Sequence, residues 1–543
     1  MFLSPVCRLI NGVFCFMVNH KNLLLPHKLI IMQKFKPLFF PFWYVFILTL
    51  ILFSCSNIKK QHNDKPNIII IYADDLGYGD VGAYGSVAVK TPNIDKLANG
   101  GIKFTRGYAS SATCTPSRYA LLTGTYPWRN KNAHILSGSA SLIIDTSQIT
   151  LPKMLKNQGY KTGIVGKWHL GLGKGKVDWN KHISPGPNET GFDYSFILAA
   201  TQDRVPTVYI ENGYVSGLDK NDPIEISYKK PFPDEITGKE HPELLKMKLS
   251  YGHDGTIVNG ISRIGHMKGG KKAQWIDETM ADTFLSKAQH FITTHKDKPF
   301  FLYYALQEPH VPRTPNPRFV GKTTLGPRGD AIVEADWCIG ELINTLKKEN
   351  LLNNTLIILS SDNGPVLNDG YDDDADKKNN NHKPWGPFRG GKYSLFEAGT
   401  RLPFIVYWKG HVRPGISDAM VSQIDILNSL AALVKSPEKS PDGENLMETF
   451  LGNSNKGRSS IVFEATGRTG YRKGNFVMIP PYKGPSLCSY TNIELGNDSV
   501  IQLYDLSVDI GQQNNIAKNN PEKLSEMVSE YENITGKKGL LQK

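Results

Sequence analysis

Two carboxylates stand side by side at Asp74-Asp75, directly after the apolar run Ile68 to Tyr72, and a carboxylate and amide pair, Asp362-Asn363-Gly364, follows the run Thr355 to Ser360. Neighbouring carboxylates at a strand end repel unless a cation neutralises them. A hard divalent metal with oxygen ligands accounts for the first pair, as does an ordinary Asp turn before Gly77 and Gly79. Asp-Asn-Gly on its own is equally a common turn. Together the two pairs offer four oxygen-bearing side chains, the partial shell that calcium favours and zinc does not. A third feature is Cys114-Thr115-Pro116-Ser117-Arg118, which reads either as a chemically committed cysteine or as a free thiol beside a turn proline. Lys167 to His169 and His310 also follow apolar runs and join the candidates for chemistry.

These residues need elements that bring them together. Ile68 to Tyr72 is a continuous β-branched apolar run of the kind found in a strand buried on both faces, which implies a parallel sheet. Similar runs occur at Thr162 to Val165, Pro299 to Ala305, Thr355 to Ser360 and Pro403 to Tyr407. Helical patterns at Ile149 to Gln158, Trp275 to Thr294 and Asp330 to Glu349 separate them. Alternation of this kind predicts a doubly wound α/β domain, with chemistry at the carboxyl ends of the strands. The segment KSPEKSPDGEN reads as a linker, so a domain over 66–440 is expected to be followed by a smaller α+β domain over 450–543. Strands at Ser460 to Glu464, Phe476 to Ile479 and Val500 to Tyr504 and a helix at Pro521 to Asn533 would build that domain. The acidic run Asp372 to Asp376 fits no EF-hand spacing and reads as a solvated loop.

Composition excludes several classes. The 543 residues are 40% hydrophobic, 10% aromatic and 21% charged, which is globular rather than disordered, collagenous or coiled-coil. Arg8, Lys21, Lys28, Lys34 and Lys36 stand in residues 1–54 without a single acid, so the formal charge of +12 falls to +7 once they are set aside. That excess suits an anionic small molecule or polysaccharide. No Lys/Arg block interleaved with aromatics argues for a nucleic-acid partner. Phe39 to Phe53 carries no charge, follows Lys34 and Lys36, and is shorter than the roughly 20 residues of a bilayer span, so 1–54 reads as a signal peptide. Leu52-Phe53-Ser54-Cys55 resembles a bacterial lipobox, which would place a lipid on Cys55 and the chain in the periplasm or on the outer membrane. An uncleaved membrane anchor is the alternative, and either way the bulk is exported. With Met32 as a second candidate start, Cys7 and Cys15 fall away. Cys338 and Cys488 are then left as the only cysteines free to pair, too few for a disulfide scaffold.

The motif CTPSR, continued by YALLTG, resembles the signature of the type I sulfatases, in which the cysteine is oxidised enzymatically to formylglycine. GYKTGIVGKWHLG resembles the second signature of that family, and ADDLGYGD, SSDNGP, FRGGKYSLFEAGTR and the C-terminal QLYDLSVDIGQQNNIA are typical of it. The resemblance runs from Pro66 to the end of the chain. It implies an alkaline-phosphatase-like fold, a large mixed and mostly parallel sheet flanked by helices. It implies a calcium ion held by Asp74, Asp75, Asp362, Asn363 and an oxygen of the converted Cys114, and a maturation partner, either a formylglycine-generating or an anaerobic sulfatase-maturing enzyme. It implies that Arg118 holds the hydrated aldehyde, that one of its hydroxyls attacks sulfur, and that His169 takes the proton of the other. Lys167 and Lys392 would bind the sulfate, and His310 would protonate the departing sugar oxygen. A hydrated aldehyde can expel sulfate through its second hydroxyl, whereas serine would leave a stable ester.

GGKYSLFEAGTRLPF and the stretch DDDADKKNNNHKPWGPFRGG look most like the branch that removes 6-O-sulfate from galactose or N-acetylgalactosamine. Asp203, Arg204, His253 and Arg313 are the candidate sugar contacts, each with a plain surface role as the alternative. The expected activity is hydrolysis of sulfate esters on a sulfated oligo- or polysaccharide. A phosphodiester or phosphonate hydrolase of the same superfamily is one alternative. A glycan-binding lipoprotein whose Cys114 is never converted is the other.

Overall fold

Side chains alternate along a strand, so a run of six apolar residues must serve two cores at once. In β1 (Asn67–Ala73), Ile68, Ile70 and Tyr72 enter one hydrophobic core while Ile69, Ile71 and Ala73 enter another. The computed structural model describes residues 65–540. The expected signal peptide, lipobox Cys55, Met32, Cys7 and Cys15 lie outside them. No helix among the described residues is long and apolar enough to cross a membrane. Cys114, Cys338 and Cys488 are all free thiols.

The strands after β1 are β2 (Ile102–Tyr108), β3 (Lys161–Lys167), β4 (Tyr194–Leu198), β5 (Tyr209–Glu211), β6 (Tyr214–Val215), β7 (Phe300–Ala305), β8 (Thr355–Ser361), β9 (Arg401–Tyr407) and β10 (Gly415–Ser422). They form one ten-stranded sheet in the order β10-β2-β9-β8-β1-β7-β3-β4-β5-β6. Its centre, β8-β1-β7-β3-β4, is parallel throughout. The sheet is mixed because β5 and β6 pair antiparallel at one edge and because β9, the expected run Pro403 to Tyr407, lies antiparallel to both β8 and β2. A strand buried on both faces looks the same in either direction, so the run of apolar residues carried no information about its sense.

Helices cover both faces. The helices α1 (Pro92–Gly100), α2 (Cys114–Thr123), α3 (Leu151–Asn157), α4 (Met280–Thr294), α5 (Gly326–Lys348) and α6 (Ile426–Leu433) flank the sheet. Leu121, Leu122, Leu151, Leu427 and Leu430 pack into the core with Ile68 and Ile70, and Ile94, Phe284, Ile292, Ile332 and Leu342 into the core with Ile69 and Ile71. A second, antiparallel sheet of β11 (Ser460–Ala465), β12 (Arg468–Lys473), β13 (Phe476–Ile479) and β14 (Gln502–Asp505) carries the last helix, Pro521–Thr535, on one face through Leu524, Met527, Val528 and Tyr531. Its other face packs Phe463, Val477 and Ile479 on Ala112 and Phe396. Ser440 and Asp442, from the proline-rich stretch before it, are tied to Asn428 and to Tyr126 and Arg129.

Candidate active site

Register delivers the first part of the site. Ala73 pairs with Ser361 at the ends of β1 and β8, so the next residue on each strand, Asp74 and Asp362, emerges side by side, followed by Asp75 and Asn363. The amide of Asp75 donates to Asp362 Oδ1 at 3.2 Å, and Asn363 Nδ2 donates to Asp75 Oδ1 at 2.6 Å. Asp75 takes a left-handed φ of 61°, a conformation unusual for a non-glycine residue and one that recurs at functional sites. Two strands further along, Ala305 of β7 pairs with Gly166 of β3, which places Lys167 and then His169 beside the same cluster. Gly166 has φ 114°, and a Cβ there would lie 1.8 Å from the carbonyl oxygen of Ala305. Only glycine lets the two strand ends close this tightly.

All four oxygen-bearing side chains are fully buried. Burial, with Asp362 beside it, raises the Asp74 carboxyl well above the usual carboxylate range. Burial would raise Asp362 as well, but Arg118 and then Lys167 outweigh it and hold Asp362 below that range. Lys167 Nζ lies 2.5 Å from Asp74 Oδ2, and Lys392 Nζ lies 2.9 Å from Asp75 Oδ2 and 2.8 Å from Asp369 Oδ2. Asp74 Oδ1 and Asn363 Oδ1 are buried with no hydrogen-bond partner among the described residues. Such acceptors are costly to bury, and an all-oxygen donor set of three carboxylates and an amide fits a hard cation. Asp74, Asp75 and His310 can present one ligand atom each to a common point.

Cys114 opens α2, with Thr113 in the N-cap position and Arg118 one turn on. The hairpin sheet holds the residues before it, since the amide of Ala112 donates to the Glu464 carbonyl at 2.8 Å. Cys114 is 2% exposed, and burial raises its thiol against the opposing pull of Lys167 and Lys392. A thiol kept protonated is a weak nucleophile. Arg118 directs Nε and Nη2 at Asp362 Oδ2, at 3.0 and 2.8 Å, and Nη1 at Tyr303 Oη, 3.2 Å away. Most of its donors are therefore spent on the carboxylate cluster.

The two histidines differ in how they are held. His169 Nε2 donates to the Leu136 carbonyl at 2.9 Å, which leaves the buried Nδ1 with a free lone pair. Burial, then Lys167 and Arg204, lowers its proton affinity well below the ordinary histidine value. His310 Nδ1 donates to the Val311 carbonyl at 2.6 Å, and its Nε2 lies 3.8 Å from Asp75 Oδ2. Burial, then Lys392 and Lys167, lowers it too, with Asp203 pulling the other way.

A pocket of about 420 Å³ opens over this cluster, lined by Cys114, His310 and Lys392 and by Asp203, Arg204 and His253. Asp203 binds His253 Nε2 at 3.0 Å and Arg204 Nη1 at 3.0 Å, a buried triad in which Arg204 and His253 overcome burial and hold the Asp203 carboxyl low. The structure does not bring Arg313 to this pocket. Its guanidinium is consumed by Asp373 at 2.9 Å and by the carbonyls of Pro309, Val366 and Leu367. The same pair corrects the reading of Asp372 to Asp376 as wholly solvated, because Asp373 is buried. Sequence reasoning missed Asp369, Tyr393, Arg468 and Asn497, which also line the pocket, and the stacked rings of Tyr251 and Tyr490, 4.4 Å apart at 5°. Tyr393 directly follows the motif lysine in sequence, which was its one available signal, whereas Asp369 stands 23 residues away. The others come from segments without a motif.

The family model described as Sulfatase matches residues 66–436. The chain belongs to the sulfatase family. This sulfatase, a sulfuric ester hydrolase, is 52% identical over 479 residues to the N-acetylgalactosamine-6-O-sulfatase of Bacteroides thetaiotaomicron, covering 87% of this chain and 94% of the relative. It is 31% identical to human arylsulfatase A over 83% of each chain. A solved 6S-sulfatase structure from work on glycosaminoglycan metabolism by Bacteroides thetaiotaomicron superimposes with a TM-score of 0.86 at 52% identity, covering 87% of this sulfatase and all of that chain. The sulfatase has the alkaline-phosphatase-like architecture, a large mixed, mostly parallel sheet flanked by helices.

Proposed function

We propose that this sulfatase removes 6-O-sulfate from galactose or N-acetylgalactosamine units of a sulfated glycan, with Cys114 converted to formylglycine. The observation that carries this reading is that Cys114, His310 and Lys392 line one pocket while His310 and Lys392 both face Asp75 of the oxygen cluster. The 52% identical relative named for N-acetylgalactosamine-6-O-sulfate, matched over 94% of its length, supports the choice of sugar and position. Asp74, Asp75, Asp362 and Asn363, with an oxygen on the converted Cys114, would hold calcium, which would supply positive charge against the sulfate oxygens. A hydrated aldehyde at Cys114 would supply the attacking hydroxyl that the protonated thiol does not.

The surrounding side chains divide the remaining work. Lys167, Lys392 and Arg118 face Asp74, Asp75, Asp362 and Asp369, one positive charge short of balance, so a divalent cation added there leaves the site net positive, matched to a sulfate ester's negative charge. His169, with Nδ1 free and its proton affinity lowered, is equipped to accept a proton near Cys114. His310 offers Nε2 to the leaving oxygen. Its lowered proton affinity rises when an anion enters beside it, because a nearby negative charge favours the protonated ring. Arg118 fixes Asp362 and the turn that carries Cys114. Asp203, Arg204 and His253 stand where the sugar would sit.

Export through residues 1–54, a lipid on Cys55, and a formylglycine-generating or anaerobic maturing enzyme as partner complete the proposal. It rests on the uncharged run Phe39 to Phe53, on Leu52-Phe53-Ser54-Cys55 and on the CTPSR motif. We also propose residues 66–440 as the catalytic domain and 450–543 as a smaller α+β unit. The test is sulfate release from a panel of defined sulfated saccharides, run beside mass spectrometry of the peptide containing Cys114. The expected result is preferential turnover of 6-O-sulfated N-acetylgalactosamine or galactose, an aldehyde or its hydrate at position 114, and no turnover by a folded Cys114→Ala variant. Full activity with an intact thiol would overturn the mechanism, and turnover only of other sulfate positions would overturn the substrate.

A further inference from the structure

A second cleft of about 610 Å³ adjoins the pocket. His134 lines the cleft while its neighbour Ile135 lines the pocket, and Gly467 lines the cleft while Thr466 and Arg468 line the pocket. Two chain segments therefore form the saddle between the cavities, the stretch at 134–135 and the tip of the β11–β12 hairpin. That tip is a two-residue turn with φ of 49° at Thr466 and 82° at Gly467, the twist that joins adjacent antiparallel strands without splaying them. Arg468 ties the tip to the pocket wall by donating to the carbonyls of Tyr393 at 2.8 Å and Leu495 at 3.1 Å. The saddle is thus fixed to Tyr393, the immediate neighbour of Lys392.

The cleft is cationic. Arg129, Lys131, His134 and Lys537 line it, all exposed. Asp442 answers Arg129 at 2.9 Å, and the Arg129 guanidinium also lies over the Trp128 ring. Lys131 and Lys537 pair with no carboxylate among the described residues. Lys537 Nζ is instead drawn to Thr469 Oγ1 at 3.0 Å, at the hairpin. The one acid lining the cleft, Glu464, is buried, and its carboxylate is occupied by hydrogen bonds from Ser111 and the Gly467 amide and pairs with neither lysine. Unanswered cations next to a pocket that takes one sulfate raise the local concentration of further anions on the same molecule.

We infer that this cleft is a distal binding site for an oxyanion, a sulfate or a carboxylate, on a sugar further along the glycan chain whose sulfated unit occupies the pocket. The inference rests on the sulfatase reading for the identity of the chain. It makes an oligosaccharide, not a monosaccharide, the preferred substrate, and it assigns Lys131 and Lys537 to affinity rather than to chemistry.

The test compares the wild-type enzyme with Lys131→Ala/Lys537→Ala on N-acetylgalactosamine 6-sulfate and on a 6-O-sulfated, uronate-containing tetrasaccharide. The expected result is a KM for the tetrasaccharide raised about fivefold or more with kcat retained, a change of less than about twofold on the monosaccharide, and an unaltered thermal midpoint. Equal KM values for the two enzymes on the tetrasaccharide, or equal losses on both substrates, would overturn the site. A carboxyl-reduced tetrasaccharide separates the two sources: if the difference between the enzymes disappears, the bound group is the uronate, and if it persists, a sulfate. Calorimetry of tetrasaccharide binding to Cys114→Ala, with and without the two lysines, needs no turnover. Binding that depends on the lysines and weakens with salt supports the cleft even if no sulfate is released, whereas lysine-independent binding removes it.

Discussion

At the scale of single residues, the site is a set of charges that already answer one another. Asp74 meets Lys167, Asp75 meets Lys392, and Asp362 meets Arg118. Two histidines remain outside these pairs with lowered proton affinities, and their free nitrogens separate their tasks. If His310 delivers a proton to the leaving oxygen, His310→Ala will cost an alkyl sugar sulfate far more than a nitrophenyl sulfate, since a phenolate departs with little help. A loss of about a hundredfold on the sugar and under about tenfold on the aryl ester is expected from paired kcat measurements. A second residue prediction concerns stability away from the site. Burial, and then the nearby Glu308 carboxylate, pushes Glu334 up to about 8. The folded protein then holds that proton above the ordinary glutamate range, where the unfolded chain has released it. The associated stability is complete at low pH and is lost as pH rises from the unfolded value through about 8. Glu334→Gln should therefore stabilise the fold at pH near 8 by an amount on the order of 1 kcal/mol, seen as a higher thermal midpoint, and leave the midpoint nearly unchanged near pH 5.

At the scale of elements, sequence and structure agree where one strand explains itself and part where two must meet. The alternation of Ile68 to Ala73 into two cores was legible because the residue types alone demand it. The pairs after β1 and β8 were legible because strand ends collect chemistry. The placement of Arg313 was not. An arginine three residues past His310 looks like a substrate contact until Asp373 and three carbonyls, brought in by distant loops, consume its donors. The strand Arg468–Lys473 went unread because its charges hide the pattern, yet Arg472 is buried against Glu397. Tight strand contact supplies the prediction at this scale. Gly166→Ala would drive a methyl group into the Ala305 carbonyl, so β3 must shift and Lys167 with it. A loss of about 3 kcal/mol in stability and about a hundredfold in kcat is expected, read by thermal unfolding and by sulfate release.

At the scale of the whole molecule, the small antiparallel sheet is part of the active site's support and not an appendage. Its inner face covers Ala112 and Phe396, its hairpin tip bounds the pocket, and Glu464 holds the segment that leads into Cys114. Ending the chain at residue 450 would expose that apolar surface and release the loop. The shortened protein is expected to be insoluble or to melt at a far lower temperature than the full chain, as light scattering and calorimetry would show. A soluble, active fragment would refute the supporting role.

The burial of Cys114 sets a timetable. A side chain 2% exposed beneath a pocket walled by residues near 490 offers no landing place to another enzyme once folding is complete. The oxidation proposed for it would belong to the still unfolded polypeptide, before the later residues have packed to seal the chamber. Folding too early would leave a molecule correct in shape and permanently without its aldehyde.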